Sequence, residues 1–503
     1  MNAALFNLIF EYVFKNKVLK QRGGKLEYIK VIENEIQKYS NYNLNTYPYE
    51  YTGTLKNLEI YDFNEAALAD VVAKAEEKYQ EYKKTTLYER TEILLNTARM
   101  LEENRETMAE IISYEAKKPI KFALQEVDRS IQTLKLSGIE ASKLEGEYIN
   151  LDVAANGGGR NAFTKYESLG VVYAMTPFNF PLNLVIHKAG PALAVGNSII
   201  VKPSEKTPFS TYFLKYLLEQ AGLPEGVMQV VTGDGEKVSD VLLSYDEIKK
   251  LSFTGSVRVG KILKNKIGLR KLTLELGSTS ALYISKNIDE NKIDNIADQV
   301  VNGAFAYNGQ VCISTQKVFI DDEVYDKLLE KIVKRTESLK YGSLNDEQTD
   351  YSDLIDANSQ DRISEWIKEA EQAGAKILTG GDKHEGAVIP TILTNTSGEM
   401  KVCSEEIFGP VVVVENVKGR DALKLLNYSK FGLNVGVFTS NLEEALQLSN
   451  ELDYGQVLIN DVPTLRFDHM PYNGRRNSGY GTEGIKYAIK EMSQLKMVSL
   501  KYV

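Results

Sequence analysis

The sequence is poor in the residues that build covalent or metal-bound frameworks. Its 503 residues include three histidines, one tryptophan and two cysteines, Cys312 and Cys403. Two cysteines cannot form a disulfide framework, so a reducing compartment fits best and we expect the protein in the cytoplasm. No group of histidines and cysteines has metal-ligand spacing, and the sequence therefore predicts no metal site.

The sequence also lacks net positive charge and long apolar runs. The formal charge of −9 and the isoelectric point near 5.3 disfavour nucleic acid as the main partner, because phosphate-binding surfaces are usually basic. No apolar run reaches the roughly 20 residues that span a bilayer, so we predict no membrane span. The length predicts about three structural lobes.

Residues 1–40 are predicted to be an N-terminal extension that is first apolar and then basic. This order is wrong for a secretory signal, in which positive charge precedes the apolar part. One reading is an amphipathic helix, ended by Gly23 and Gly24, that docks on a partner. The other interpretation, which we favour, is that these residues form an extra packed helix or that the start codon is assigned too early.

Helical periodicity extends from residue 64 to residue 142, where Thr86 and Glu89 have capping-box spacing. Apolar and polar residues then alternate over 149–153, which predicts a half-exposed strand, and residues 162–167 are predicted to return as its hairpin partner. Such a hairpin either pairs with another subunit or forms an edge ribbon of its own lobe.

Short apolar runs alternate with amphipathic stretches from residue 169 onward, which predicts an α/β fold with a parallel, doubly wound sheet. Buried strands are predicted at residues 171–175, 198–201, 227–231, 250–253 and 272–276. A second region, 281–471, is predicted to hold strands at 316–320, 411–415 and 435–438, and the tail 495–503 alternates as a strand would. The predicted strands of the first region end in polar or glycine-rich turns, where such sheets bind ligands.

Two of these turns carry groups suited to a dinucleotide. Gly255 and Ser256 open a helix directly after a strand, so its free N–H groups and dipole suit a pyrophosphate. Lys202 and Glu205 suit the hydroxyls of an adenosine ribose, although they also fit a surface ion pair. A carboxylate here disfavours a 2′-phosphate and so favours NAD, whereas Arg258 suits phosphate and keeps NADP as the alternative.

Several motifs occur in order along the chain, and together they are far more specific than any one alone. They are Pro177-Phe178-Asn179-Phe180-Pro181, Lys202-Pro203-Ser204-Glu205, Phe253-Thr254-Gly255-Ser256, Glu275-Leu276-Gly277, Gly309-Gln310-Val311-Cys312 and Glu406-Ile407-Phe408-Gly409-Pro410. With Met470-Pro471-Tyr472 and Ser478-Gly479, they resemble the aldehyde dehydrogenase superfamily from about Asp62 to the end of the chain.

The resemblance implies an aldehyde dehydrogenase-like fold with a Rossmann-like cofactor domain, an α/β catalytic domain and a β-hairpin oligomerisation ribbon. We assign residues 41–144 and 169–277 to NAD(P) binding, 278–471 to catalysis, and 145–168 with 489–503 to the ribbon. The same resemblance implies a homodimer or homotetramer.

The resemblance also implies a reaction and the residues that perform it. Cys312 matches the nucleophile that forms a thiohemiacetal and then a thioester from an aldehyde. The Asn179 amide and the Cys312 backbone N–H match the oxyanion donors. Glu275 matches the general base that activates water for thioester hydrolysis, and Lys188 matches a lysine that positions the cofactor and the amide network.

Cofactor and substrate residues are implied in the same way, with Glu406 matched to the residue that holds the nicotinamide ribose and Phe408 packed nearby. The implied cofactor-binding set is Thr176, Pro177, Phe178, Lys202, Ser204, Glu205, Gly235, Phe253, Gly255, Ser256, Leu276, Gly277, Glu406 and Phe408. The implied substrate-binding set is Arg129, Asn183, Val311, Ile313 and Arg466.

The two arginines favour a short hydroxylated or anionic aldehyde, of the lactaldehyde or sulfolactaldehyde type, because a guanidinium binds carboxylate and sulfonate groups in a bidentate manner. A phosphorylated or phosphono-aldehyde comes second, since Val311 stands where phosphate-type relatives carry another arginine. The chain also departs from the family pattern at Ser278, where a glycine is usual, and at 473–476, where a glycine-rich run is usual.

Two rival functions share this fold. A CoA-acylating dehydrogenase is disfavoured by Glu275, since a base for water is of little use when CoA takes the acyl group. A non-catalytic protein is disfavoured by the intact set of Cys312, Asn179 and Glu275.

Overall fold

The computed structural model describes residues 24–42, 44–48, 58–419 and 421–502. The apolar start of the N-terminal extension, up to residue 23, lies outside these residues. The helix Gly24–Gln37 packs on the helix Phe209–Gln220, where Lys215 Nζ lies 2.6 Å from Glu35 Oε2. No helix among the described residues is both long enough and apolar enough to cross a membrane.

The first sheet is doubly wound, as the alternation of strands and helices predicts. In spatial order its strands are Gly479–Tyr480, Lys271–Glu275, Ile248–Thr254, Val171–Met175, Ser198–Lys202 and Met228–Val230. All neighbours are parallel except the first pair, which is antiparallel. The chain order reverses between Val171–Met175 and Ile248–Thr254, so the turns after these two strands diverge and leave a crevice at their carboxyl ends.

Helices pack on this sheet and share one apolar core with it. They are Gly24–Gln37, Glu65–Tyr82, Leu87–Glu103, Arg105–Ala116, Ile120–Glu140, Asn183–Ala194, Phe209–Gln220, Gly235–Leu242, Val257–Lys266 and Ile485–Glu491. The predicted capping box is present, because the Thr86 hydroxyl accepts the Glu89 N–H while the Glu89 carboxylate accepts the Thr86 N–H.

The second sheet is mostly parallel and forms the second lobe. In spatial order its strands are Lys376–Thr379, Thr391–Thr394, Val411–Val417, Lys317–Asp321, Ala281–Ile284, Asn434–Phe438 and Gln456–Ile459. Lys376–Thr379 runs antiparallel to its neighbour and the others run parallel to theirs. Its helices are Ile293–Phe305, Tyr325–Glu337, Ala357–Gln372, Lys401–Ser404, Asp421–Asn427 and Leu442–Glu451.

A three-stranded ribbon joins the hairpin region to the end of the chain. Its strands, in spatial order, are Ser493–Lys501, Arg160–Ser168 and Tyr148–Ile149, all antiparallel. The strand predicted over 149–153 is wrong beyond Ile149. The chain turns there because the carbonyls of Leu151 and Ala154 accept hydrogen bonds from the N–H groups of Ala154 and Gly157.

Short antiparallel pairs complete the described chain. They are Asn45–Pro48 with Glu59–Asp62, Lys383–His384 with Ala387–Val388, and Phe431–Gly432 with Arg475–Arg476.

Candidate active site

The loop that carries Cys312 begins where the helix Ile293–Phe305 ends. Residues 307–309 follow with positive φ angles of 49°, 56° and 67°, which form a left-handed turn. A side chain at Gly309 would also collide with a second loop, since an added Cβ would lie 2.3 Å from the Gly409 carbonyl oxygen. The loop of residues 307–312 is therefore pressed closely against that second loop.

Cys312 lies in an apolar setting between the predicted substrate residues Val311 and Ile313. Its Sγ is 3.1 Å from the hydroxyl oxygen of Tyr472, within hydrogen-bonding distance. Burial raises the pKa of the Cys312 thiol to about 11, although the Tyr472 hydrogen bond and the Arg466 charge act in the opposite direction. The thiol is therefore protonated at neutral pH and needs stabilising groups to ionise.

Asn179 is buried beside the loop that carries Cys312, in the turn after the strand Val171–Met175. Its Nδ2 donates to the Gln310 carbonyl at 2.9 Å. Its Oδ1 has no hydrogen-bond partner among the residues that the structure describes. Because a side-chain amide has two N–H donors, one remains after the bond to Gln310.

Lys118, which sequence reasoning missed, holds the Asn179 segment in place. Its buried Nζ donates to the Asn179 carbonyl at 2.6 Å and to Glu126 Oε2 at 2.5 Å. The same ammonium lies 4.1 Å from the ring centroid of Phe180 and 4.4 Å from that of Tyr307. Since Tyr307 belongs to the loop that carries Cys312, one cation contacts both that loop and the Asn179 segment.

Glu275 ends the strand Lys271–Glu275 and is buried. Neither of its carboxylate oxygens has a hydrogen-bond partner in the described part of the chain. Burial raises the pKa of Glu275 well above its usual range, and the charge of Glu483 raises it further against the opposing charges of Arg466 and Lys188. A carboxylate in this environment takes up a proton readily, as a general base must.

Glu483 joins two cations beside Glu275. Lys188 Nζ lies 2.7 Å from Glu483 Oε1, Arg466 Nη2 lies 3.1 Å from Glu483 Oε2, and all three side chains are buried. The guanidinium carbon of Arg466 is 3.7 Å from the ring centroid of Tyr472. Sequence reasoning missed Glu483, because no motif marks a glutamate that lies 295 positions from its partner lysine.

Lys202 and Glu205 form an ion pair after the strand Ser198–Lys202, with Lys202 buried and the Glu205 side chain partly exposed. Gly235 opens the neighbouring helix, where an added Cβ would lie 3.8 Å from Lys202 Nζ. The absence of a side chain at Gly235 keeps this helix end open toward the lysine. The arrangement suits the hydroxyl or phosphate groups of a nucleotide.

Ser256 caps the helix Val257–Lys266, and its Oγ accepts the Val259 N–H at 3.3 Å. One N–H group of the predicted pyrophosphate site is therefore used by the protein itself. Gly255 must lack a side chain, since an added Cβ would lie 2.5 Å from the Phe253 ring. Arg258 is exposed in the first turn of the helix.

Glu406 contacts the backbone just after Glu275, in the motif that includes Leu276. Its Oε1 accepts the Ser278 N–H at 3.0 Å, and an added Cβ at Gly277 would lie 2.3 Å from its Oε2. Burial raises the pKa of Glu406 to about 7. Ser278 stands where the family usually has a glycine. Its hydroxyl points away from Glu406, since its Oγ lies 3.2 Å from Ser280 Oγ, and the added side chain therefore does not occupy the space beside Glu406.

Two buried hydroxyl groups at the crevice are suited to hydrogen-bond a polar cofactor. Thr176 Oγ1 and Thr254 Oγ1 have no hydrogen-bond partner within the described ranges. Thr176 follows the strand Val171–Met175 and Thr254 ends the strand Ile248–Thr254. The chain order reverses between these two strands, so both hydroxyls lie where a bound nucleotide is expected. Buried hydroxyls without partners are rare, and a bound ligand with donor and acceptor groups would satisfy them.

Phe408 packs against Phe178, the residue after Pro177. Their ring centroids are 5.7 Å apart in an edge-to-face contact, and Phe408 has a positive φ of 51°. Ser204 Oγ accepts the Lys206 N–H at 3.2 Å and so stabilises the turn, while its O–H can still donate to a ligand.

Arg129, Asn183 and His187 converge on Asp468. Arg129 Nη2 and His187 Nε2 each lie 2.8 Å from Asp468 Oδ1, and Asn183 Nδ2 lies 3.2 Å from the same oxygen. The hydrogen bond with His187 and the charge of Arg129 hold the pKa of Asp468 well below its usual range against the effect of burial, and burial lowers the pKa of His187 itself. Asp468, which sequence reasoning also missed, therefore fixes the loop that carries Arg466.

A profile of the aldehyde dehydrogenase family matches residues 50–498. The chain belongs to the aldehyde dehydrogenase family. It is 41% identical over 437 residues to the 3-sulfolactaldehyde dehydrogenase of Priestia aryabhattai, covering 86% of this chain and 91% of the relative. It is 39% identical over 459 residues to the lactaldehyde dehydrogenase of Methanococcus aeolicus, covering 90% and 96%.

The crystal structure of glyceraldehyde-3-phosphate dehydrogenase from Methanocaldococcus jannaschii, complexed with NADP, also superposes on this aldehyde dehydrogenase. The TM-score is 0.84 at 34% identity, covering 90% of this chain and 98% of that structure. These comparisons confirm the family, the α/β fold and the class of enzyme that the motifs predict.

The departure at 473–476 lies in a segment of this aldehyde dehydrogenase that ends in the short strand Arg475–Arg476 and that protein groups stabilise. Arg475 Nη1 lies 2.9 Å from Asp453 Oδ1, and Arg476 donates to the carbonyls of Asp453 at 2.6 Å and Asn427 at 3.1 Å. Within the described residues, no three side chains of histidine, cysteine, aspartate or glutamate are grouped to hold a metal ion.

Proposed function

We propose that this enzyme oxidises a short hydroxylated or anionic aldehyde to the carboxylic acid with NAD(P) as the hydride acceptor. The observation that carries the proposal is the convergence of the Cys312 thiol, the Asn179 amide and the Glu275 carboxyl group. The Asn179 amide is hydrogen-bonded to the loop that carries Cys312. The charges of Glu406 and Glu275 are near enough to raise the pKa of the Cys312 thiol. These groups are the nucleophile, oxyanion donor and base that oxidation with water requires.

The reaction begins when the Cys312 thiol loses its proton to solvent water and the sulfur attacks the aldehyde carbon to form a thiohemiacetal. The second N–H of Asn179 stabilises the negative charge on the former aldehyde oxygen. When bound, the nicotinamide supplies the acceptor for the hydride that the adduct loses, which leaves a thioester on Cys312. Glu275 then takes a proton from water, the resulting hydroxide attacks the thioester, and the acid leaves as the thiolate is restored.

Two observations support the substrate class. The relatives at 41% and 39% identity are named for sulfolactaldehyde and lactaldehyde. In the site, the Arg129 side chain is 33% exposed, and its Nη1 donates to no described residue. The Arg466 side chain is only 8% exposed, and its guanidinium pairs with Glu483 and stacks on the Tyr472 ring, so we assign the contact with a sulfonate, carboxylate or hydroxyl group to the more exposed Arg129.

NAD is the proposed cofactor, because the Glu205 carboxylate beside Lys202 disfavours a 2′-phosphate. NADP is the alternative, and the NADP complex of the structural neighbour from Methanocaldococcus jannaschii supports it. The same neighbour supports a phosphorylated aldehyde as the second candidate substrate.

An aldehyde panel tests the proposed substrate and cofactor. Lactaldehyde, 3-sulfolactaldehyde, glyceraldehyde 3-phosphate and hexanal are each assayed by NAD(P)H absorbance with NAD and with NADP, in the presence and absence of CoA. We expect the highest kcat/KM with lactaldehyde or sulfolactaldehyde and NAD, with no requirement for CoA. NADH production that depended on CoA would overturn the hydrolytic reaction.

The variant Arg129→Met tests the assigned anion contact in the same assay. We expect kcat/KM for sulfolactaldehyde to fall about tenfold or more, since a hydrogen bond to a charged group is lost, and hexanal oxidation to change much less. Arg99→Met removes an arginine that contacts Asn96 and serves as the control. Equal losses for both aldehydes would rule out an anion contact at Arg129.

We further propose that the ribbon joins two or more copies of the chain. Its outer strand Ser493–Lys501 leaves one edge unpaired in the described residues, and the side chains of Leu495 and Met497 are more than half exposed. We expect light scattering to give at least twice the mass of one chain, and L495E/M497E to give a monomer. Leu442→Glu, at a leucine that is even more exposed and lies outside the ribbon, is the control. A monomeric wild-type protein would contradict the proposal.

A further inference from the structure

Tyr472 is a buried tyrosine next to the Cys312 sulfur, and none of the reaction steps proposed for Cys312, Asn179 and Glu275 involves it. Its side chain is 1% exposed, and its hydroxyl oxygen lies 3.1 Å from Cys312 Sγ. Its backbone is fixed by two hydrogen bonds with Glu483, of 3.0 and 2.7 Å. The guanidinium of Arg466 stacks on its ring at 3.7 Å. Both the hydroxyl and the ring are therefore held in a defined position.

We propose that Tyr472 is a catalytic residue whose hydroxyl donates a hydrogen bond to the Cys312 thiolate, with the Arg466 guanidinium stacked on its ring. The proposal rests on the proposed role of Cys312 as nucleophile. It adds a group that stabilises the attacking sulfur before any aldehyde is bound.

The direction of this hydrogen bond depends on which of the two groups, the Cys312 sulfur or the Tyr472 oxygen, carries a proton. In the resting thiol, either Sγ or the Tyr472 oxygen is able to donate. Once Cys312 has lost its proton, the sulfur is only an acceptor, so the tyrosine must donate. Burial and then the Cys312 charge raise the pKa of Tyr472 well above its ordinary value, so the phenol keeps its proton when the thiol ionises.

Other charged groups near the Cys312 sulfur also change how easily the thiol ionises. Arg466 favours the thiolate, whereas Glu406 and Glu275 disfavour it. Burial also disfavours the thiolate, because the apolar surroundings solvate a negative charge poorly. A hydrogen bond to an ionised group is stronger than one between neutral groups, so the phenol selectively stabilises the reactive form.

The test is the rate of Cys312 alkylation by iodoacetamide as a function of pH, in the wild-type protein and in Tyr472→Phe. The reaction needs no aldehyde, so its outcome is independent of the substrate proposal. Cys403→Ala is used as the background in every variant, so that Cys312 is the only thiol of the chain. We expect Tyr472→Phe to lower the rate about tenfold near pH 8 and to displace the pH profile to higher pH.

Tyr454→Phe is a matched control. It also removes a buried hydroxyl beneath an arginine, since Arg476 lies 5.1 Å from the Tyr454 ring, but that hydroxyl donates to the Leu426 carbonyl. We expect its alkylation profile to match the wild type. An unchanged profile in Tyr472→Phe would overturn the proposal.

A second variant serves if phenylalanine prevents folding. Site-specific 3-fluorotyrosine at position 472 keeps the ring and hydroxyl but makes the phenol a stronger donor. We expect faster alkylation than in the wild type at pH values where the phenol stays protonated. A slower or equal rate would count against a hydrogen bond to the thiolate, because a residue that only fills space is insensitive to donor strength.

Discussion

Replacing Cys312 by alanine is expected to lower NAD(P)H production by on the order of 10⁴-fold or more, because the aldehyde then has no nucleophile with which to form the hydride-releasing adduct. The change removes one sulfur atom from a site flanked by Val311 and Ile313, and we expect the fold to persist. Initial rates under saturating aldehyde and cofactor measure the effect. Circular dichroism and thermal melting check that the variant is folded.

The other cysteine of the chain supplies the control. Cys403 is buried in a separate apolar cluster, where its Sγ lies 3.1 Å from Thr396 Oγ1. Cys403→Ala is expected to keep turnover within about twofold of the wild type, although the melting temperature falls slightly because a small buried group is lost. Full activity in Cys312→Ala would remove Cys312 from the mechanism.

Replacing Glu275 by glutamine is expected to separate the two halves of the reaction. The glutamine side chain has nearly the same shape but accepts no proton, so thioester hydrolysis should slow by about 10²–10⁴-fold. Acylation does not consume water and should still release one equivalent of NAD(P)H per site. Stopped-flow absorbance should therefore show a burst followed by a very slow steady state.

The pH dependence provides a second signature of Glu275. Burial and the Glu483 charge raise its pKa, so the carboxyl group stays protonated to a higher pH than an ordinary glutamate. Since only the ionised form accepts a proton from water, steady-state turnover should rise with pH through that raised pKa, and the rise should vanish in Glu275→Gln.

Glu115→Gln is the control for removing a buried carboxyl group. Burial raises the pKa of Glu115 to about 8, and its oxygens accept the N–H groups of Phe209 and Ser210 rather than facing the active site. We expect this variant to lose stability but to keep the pH profile of turnover. Unchanged steady-state turnover in Glu275→Gln would exclude that residue as the base.

The fold was largely predictable because buried parallel strands are continuous apolar runs. The run at residues 171–175 coincides with the strand Val171–Met175, and its polar end leads directly to Asn179. The strand predicted over 149–153 failed for the converse reason. Alternation is a weak signal over five residues, and local turn hydrogen bonds at Leu151 and Ala154 end the strand early.

The site was predictable only where motifs mark it. Cys312, Asn179 and Glu275 each lie in a recognisable motif, whereas Lys118, Glu483 and Asp468 lie in none. An isolated lysine, glutamate or aspartate is far more often a solvent-exposed residue, so the sequence alone favours the surface. Their partners are distant along the chain, as Lys188 and Glu483 illustrate, and the structure alone brings them together.

The structure also changes the interpretation of the two arginines. Both were predicted to bind an anionic substrate because of their chemistry. In the structure, Arg466 contacts Glu483 and the Tyr472 ring, and Arg129 shares Asp468 with His187. A sequence shows which residues are positively charged. Only the structure shows which of them are paired with acidic residues of the protein and which can still bind a ligand.

The central claim is that Cys312 carries the acyl group during turnover, and intact-protein and peptide mass spectrometry test it most directly. Glu275→Gln is mixed with aldehyde and cofactor and quenched in acid during the slow steady state. The account predicts that the peptide containing Cys312 gains the mass of the aldehyde less two hydrogen atoms, as a thioester requires. An unmodified Cys312, or an adduct on a different residue, would contradict it.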